Sequence, residues 1–176
     1  MTTFIDYLLS GIGSGMIIAL MALALVLIWR GTRVVNFAQV GQAMFTTFIA
    51  LSLQTLTGNW FLALFGAIAS GALLGLIVQY LVLRPVRRLD TAGAIIATFG
   101  VLIALQAAAG MIFGGANQGF PQPFSASGVE VFGRVWPISP YDFVVIGTTL
   151  LMVLILSFIF TRTSLGLGMR ASAFNP

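Results

Sequence analysis

The sequence predicts an all-α, polytopic transmembrane helical bundle of about five spans, with its N-terminus outside and its C-terminus in the cytoplasm. Three observations carry that expectation. First, 59% of the 176 residues are hydrophobic and only 7% charged, with a mean hydropathy of +1.07. A soluble domain carries roughly 25% charged residues, so this chain could not cover its surface in water. Second, the few charges cut the chain into uncharged runs long enough to cross a bilayer. Third, the arginines fall on alternate connections between those runs.

The uncharged runs are 7–29, 34–83, 91–129 and 143–161. A spanning helix needs about 20 apolar residues at a rise of about 1.5 Å each. The first run gives one span at 7–29. The second is long enough for two, 34–57 and 60–83, divided at "TGNW", where Thr57, Gly58 and Asn59 supply turn chemistry and Trp60 an interfacial aromatic. The third gives a span at 91–113 and then a glycine- and proline-rich external loop, 114–142. Within that loop "VEVFGRVW" alternates about Gly133 as a short hairpin would. The fourth gives the last span, 143–161, followed by a short basic segment, 162–176. The whole chain, 1–176, reads as one transmembrane domain. In "RPVRRLD", between the third and fourth spans, Pro85 is expected to end the preceding helix.

Arginine placement orients the spans, because positive residues favour the cytoplasmic side. With five alternating spans, Arg30, Arg33, Arg84, Arg87, Arg88, Arg162 and Arg170 share one side. Only Arg134 falls on the other, together with Asp6, Glu130 and Asp142. A wrong span count would have scattered them.

Composition also removes whole classes of chemistry. Histidine, cysteine and lysine do not occur, which excludes disulfides, thiolate nucleophiles, imidazole bases and the usual metal ligands. A phosphate-binding P-loop needs its lysine, so any ATP must be hydrolysed by another chain. No catalytic set, no metal site and no cofactor bound by this chain is predicted. The net charge of +4 comes from arginines scattered between apolar runs, which does not describe a nucleic-acid surface. The opening "MTTFIDYLL" has an acid and no basic flank, unlike a cleaved signal peptide.

Lipid gives helices no hydrophobic reason to associate, so small residues must let backbones approach. Candidate stripes are Gly11 with Gly15 beside Ser10 and Ser14, then Ala67, Gly71 and Gly75, then Gly110 with Gly114. They predict tight packing within the bundle and specify no function.

The most informative interior stretch is "RGTRVVNFAQVGQAMFTTFIA", residues 30–50. At about 100° per residue, Asn36, Gln39, Gln42 and Thr46 share a sector roughly 120° wide. An amide facing hydrocarbon leaves donors and acceptors unpaired, so this stripe should face other helices or a water-filled path. Two readings stand: the amides bond to neighbouring helices and hold the bundle, or they line a route for a polar solute, with Gln106 and Gln79 as complements. No acid, lysine or histidine lies in a span, which points away from an ion-coupled carrier and from an intramembrane enzyme.

Three motifs in register carry a family resemblance: "RGTRVVNFAQ" at 30–39, "LRPVRR" at 83–88 followed by "IATFGVLIALQ" at 96–106, and "TSLGLGMRASAFNP" at 163–176. Together they resemble the inner-membrane permease subunits of ABC importers for branched-chain amino acids, the LivH type, over essentially the whole chain. The resemblance implies partners: a second permease subunit, cytoplasmic ABC ATPase subunits that hold the ATP, an external substrate-binding protein, and the lipid bilayer of a bacterial cell (inner) membrane. It implies that the closing segment begins the cytoplasmic loop that couples to the ATPase. There Gly166 and Gly168 would turn the chain along the membrane, while Met169, Arg170, Ala171, Ala173, Phe174 and Asn175 would face the partner. It also implies that this loop continues and that further spans follow, so the chain reads as the N-terminal portion of such a permease. Two departures from the pattern lie on the polar stripe, Val40-Gly41-Gln42 after "NFAQ" and the pair Thr46-Thr47. The expected function is inward passage of hydrophobic amino acids, driven by ATP hydrolysed on partner subunits. Permeation of urea or short amides is the alternative within the family, and an ATP-independent carrier of small amphipathic solutes is the alternative outside it.

Overall fold

A computed structural model describes residues 2–32, 34–86, 91–116, 118–121, 128–131 and 134–163. Helix α1 spans Thr2–Thr32, α2 Ala38–Thr57 and α3 Trp60–Ile77. A π-helical segment, Val78–Leu83, continues α3 into the short α4, Arg84–Val86. Helix α5 follows at Thr91–Phe113, then strands β1 (Val129–Val131) and β2 (Arg134–Trp136), then α6 at Pro140–Arg162. The fold is all-α. Its one strand pair among the described residues is β1 with β2, antiparallel with Glu130 opposite Val135.

Helix boundaries follow from local chemistry. Helix α2 ends at Gly58, whose φ of +66° only glycine adopts without cost, and the Gly58 N–H donates to the Gln54 carbonyl at 2.8 Å. One residue later the Asn59 side chain accepts from the Phe61 and Leu62 amides at 2.9 and 3.4 Å and starts α3. At α6 a capping box forms. The Ser139 hydroxyl accepts from the Asp142 amide at 3.2 Å, and Asp142 Oδ2 accepts from the Ser139 amide at 2.8 Å. With Pro140 in the first turn, α6 therefore starts before the uncharged run does. A charge bounds an apolar run, but it need not bound a helix.

Pro85 does not end the third helix. The helix passes through it to Val86, and its last turns are widened instead. In an α-helix the proline ring would press on the carbonyl four residues back, that of Leu81. Over 78–83 the bonds run five residues back, as in Arg84 N–H to the Gln79 carbonyl. The wider turn also brings residues five apart onto one side. Val78 and Leu83 are accordingly both buried, in one cluster with Ala38 of α2.

The chain divides into two compact units, residues 1–31 with 122–176, and residues 32–121. The first holds α1, the hairpin and α6. There Gly13 of α1 comes so close to Asp142 of α6 that an added Cβ would overlap its carboxylate. In the second unit α2 is central and packs on both α3 and α5. Gly41 allows its approach to α5, since a Cβ there would sit 3.3 Å from Leu102 Cα. Phe37 stacks on Phe99 at 4.2 Å, and Phe48 on Phe113 at 5.2 Å. Of the glycines expected to pack closely, Gly11, Gly15, Gly75 and Gly110 have no neighbour within 4 Å of such a Cβ. A four-residue spacing marks a face as small; only a neighbour's arrival makes it a contact.

Among the described residues four stretches are long and apolar enough to cross a membrane: Phe4–Arg30, Trp60–Val86, Ala92–Phe113 and Pro140–Arg162. The helix missing from that set is α2, because its glutamines, serine and threonines lower its hydropathy. It is also the least exposed of the long helices, with only Val40, Thr47, Thr55, Leu56 and Thr57 open at its surface. Elsewhere large apolar side chains face outward, as with Met111 at 87% and Leu154 at 67% exposure, while the buried polar residues are Asn36, Thr98, Ser139 and Thr149. This is the distribution of a multi-pass membrane protein, whose solvent is hydrocarbon.

Candidate translocation surface

The amide-bearing helix is thus the one that its neighbours shield, and its polar side chains sort into two groups. The hydroxyls satisfy themselves. Thr46 and Thr47 donate to the Ala43 carbonyl at 3.0 and 2.8 Å, Ser52 to Phe48 at 3.0 Å, and Thr57 to Leu53 at 2.7 Å. Short hydroxyl side chains can reach the previous turn of their own helix. The glutamines do not. Gln39 Oε1, Gln42 Nε2 and Gln54 Oε1 are buried and have no hydrogen-bond partner among the described residues.

The reason lies in what faces them. At about 100° per residue, Thr46 and Leu53 fall within the glutamine sector. Thr46 Cγ2 lies 3.6 Å from the Cβ position of Gly71, and Leu53 lies against Gly66, so this side of α2 meets α3. From Trp60 to Ile77 helix α3 offers no polar side chain except the Trp60 indole at its start and Ser70, whose hydroxyl donates to its own Ala67 carbonyl at 3.1 Å. A buried amide with no partner costs about 1–3 kcal/mol, a cost a water or a passing solute would remove.

Asn36 has a different task. It is 6% exposed, and its Oδ1 accepts from the Ala38 amide at 3.1 Å. This bond holds the entry to α2. Beside it the Phe37 amide donates across to Thr98 Oγ1 of α5 at 3.3 Å, while Thr98, wholly buried, donates to Ile95 at 2.8 Å. Thr98 is therefore the polar residue that ties α2 to α5, a role its sequence gives no sign of.

Gln106 is not brought to the stripe. It lines a separate open cleft of about 270 Å³ with Met44, Phe48, Ala109, Gly110 and residues 114–116. Met44 and Phe48 lie on the side of α2 roughly opposite Gln39. Gln79 stands in the π segment, and its carbonyl takes the Arg84 amide. The structure adds Gln54, absent from the expected set. It lies at the far end of α2 yet in the same sector as the other amides, a signal visible once the helix is followed past residue 50. The expected coupling residues, Gly166, Gly168, Met169, Arg170, Ala171, Phe174 and Asn175, lie outside the described residues.

Comparison with curated proteins and with solved structures finds no match. The model of one protein family, described as branched-chain amino acid transport system / permease component, matches residues 7–176.

Proposed function

The chain belongs to the family of branched-chain amino acid transport permease components, and on that premise we propose that it is the membrane subunit of an ABC importer that carries branched-chain amino acids inward. The work would come from ATP hydrolysed on separate cytoplasmic subunits, and the substrate from an external binding protein. Such a subunit supplies alternating access and no bond chemistry. A motor shifts its inward–outward balance only by binding the two states differently. In this reading the N-terminus is outside, the segment from Gly166 to Asn175 meets the ATPase, and the membrane is a bacterial inner membrane.

The observation that supports a role for α2 in passage is the set of buried amide atoms without a partner among the described residues, Gln39 Oε1, Gln42 Nε2 and Gln54 Oε1. The helix presents polar groups at membrane depth where a neighbouring helix gives them nothing to bind. Residues of that kind mark solute routes.

Uptake of leucine into proteoliposomes containing the assembled importer tests this reading. Gln39→Leu with Gln42→Leu should leave the protein at least as stable, because two buried unpaired amide atoms disappear, and should lower uptake about tenfold or more, a loss of about 1.4 kcal/mol or more in passage. Wild-type uptake with reduced stability would instead make the amides packing glue. Offering urea outside the vesicles as a second substrate separates the two solute classes, and uptake without ATP would overturn the proposed coupling.

A further inference from the structure

Within the first unit, α1 and α6 run in the same direction and leave a groove of about 360 Å³ between their C-terminal thirds. Its walls are apolar: Leu23 and Leu27 from α1, with Val153, Leu156 and Phe160 from α6. At about 1.5 Å per residue the groove runs on the order of 10 Å along each helix. One charged side chain, Arg30, joins the lining at the end where both helices finish. Thr161, beside it, already donates its hydroxyl proton to the Ser157 carbonyl at 2.7 Å. Ser157 adds a hydroxyl, and the guanidinium is the one charged donor group in the lining.

We propose that this groove is a binding site for one anionic phospholipid, an acyl chain lying between α1 and α6 and the headgroup phosphate paired with Arg30. Charge decides the headgroup. The unit's acids, Asp6, Glu130 and Asp142, stand near the starts of α1 and α6 or in the hairpin, whereas Arg30 and Arg162 both stand in last turns. A guanidinium binds a phosphate through two parallel charge-assisted bonds. The positive charge of Arg30 also disfavours a headgroup that carries its own ammonium. Arginine in a last turn also complements the helix dipole, a role both residues share. Only Arg30 lines the groove, and that difference makes the site testable.

The full chain, placed in nanodiscs of equal parts phosphatidylglycerol and phosphatidylcholine, is released and weighed intact with its retained lipid. Phosphatidylglycerol should be enriched about fivefold, the factor one arginine near an anionic surface supplies. Arg30→Gln should erase the enrichment, Arg30→Lys should keep it, and Arg162→Gln should leave it unchanged. Leu156→Trp, which fills the groove, should remove one retained lipid of either kind. Equal losses from Arg30→Gln and Arg162→Gln would reduce the effect to general surface charge and overturn the site. So would undiminished retention in Leu156→Trp, or a cross-link showing a second copy seated in the groove.

Discussion

Replacing Thr98 by valine keeps the shape of the side chain and removes one hydroxyl from a site that is 0% exposed. That hydroxyl accepts the Phe37 amide at 3.3 Å, just before α2 begins. In valine's presence the Phe37 N–H has nothing to donate to, and a buried unsatisfied donor costs about 1–3 kcal/mol. Two facts place the expected loss at the low end. The bond is long, and hydrogen bonds between membrane helices average about 0.6 kcal/mol with a ceiling near 1.7, because a chain unfolded within lipid finds other partners. The expectation is about 1 kcal/mol. For a chain of this size that is a fall of about 2–4 °C in Tm. Thermal unfolding in mild detergent reads the stability, and amide exchange at Phe37 reads the bond itself. Thr98→Ser should behave as wild type. If the valine variant melts with the wild type and Phe37 exchanges no faster, the contact from Thr98 does not hold α2 to α5.

Four further outcomes can be checked on the same footing. Gly41→Val places its Cβ 3.3 Å from Leu102 Cα, a backbone atom that cannot swing aside, and should cost about 1–3 kcal/mol in Tm-derived stability. Gly100→Ala, where nothing lies within 4 Å, should be neutral or stabilising by up to about 1 kcal/mol. Ser139→Ala removes the hydroxyl half of the α6 capping box and should cost about 1 kcal/mol, with amide exchange accelerating at Asp142. Pro85→Ala frees the chain to bond four residues back, so the Arg84 amide should move from the Gln79 to the Tyr80 carbonyl. Backbone chemical shifts over 78–83 in micelles report that change, and a wide turn that persists without the proline would exclude Pro85 as its cause.

What the sequence made legible was whatever depends on neighbours along the chain. "TGNW" announces both the αL stop at Gly58 and the Asn59 cap, and the run 91–113 carries no breaker, so α5 occupies just those residues. The stripe on α2 was legible because its residues share one helix and one period. What escaped was contact between distant segments. Gly13, Gly41 and Gly66 are each met closely by a neighbouring helix, although none stands in the stripes marked from the sequence. Of the glycines in those stripes Gly71 alone meets a neighbour, Thr46 of α2 at 3.6 Å. Asn36 and Gln39 look equivalent as amides on one sector. Only the bond to Ala38 shows Asn36 holding the entry to α2, and only the apolar face of α3 leaves Gln39 Oε1 without a partner among the described residues.

The π segment at 78–83 has a consequence for how this helix tolerates change in length. A turn that closes over five residues instead of four carries one amino acid more than the regular spiral needs. Deleting a single residue there would let the turn relax to ordinary pitch while Trp60–Ile77 and Arg84–Val86 keep the azimuths they now hold. The same deletion a few residues earlier would rotate everything downstream by about 100° and carry lipid-facing side chains into the interior. The helix thus has one place where its length is negotiable, and it lies where Val78 and Leu83 meet Ala38.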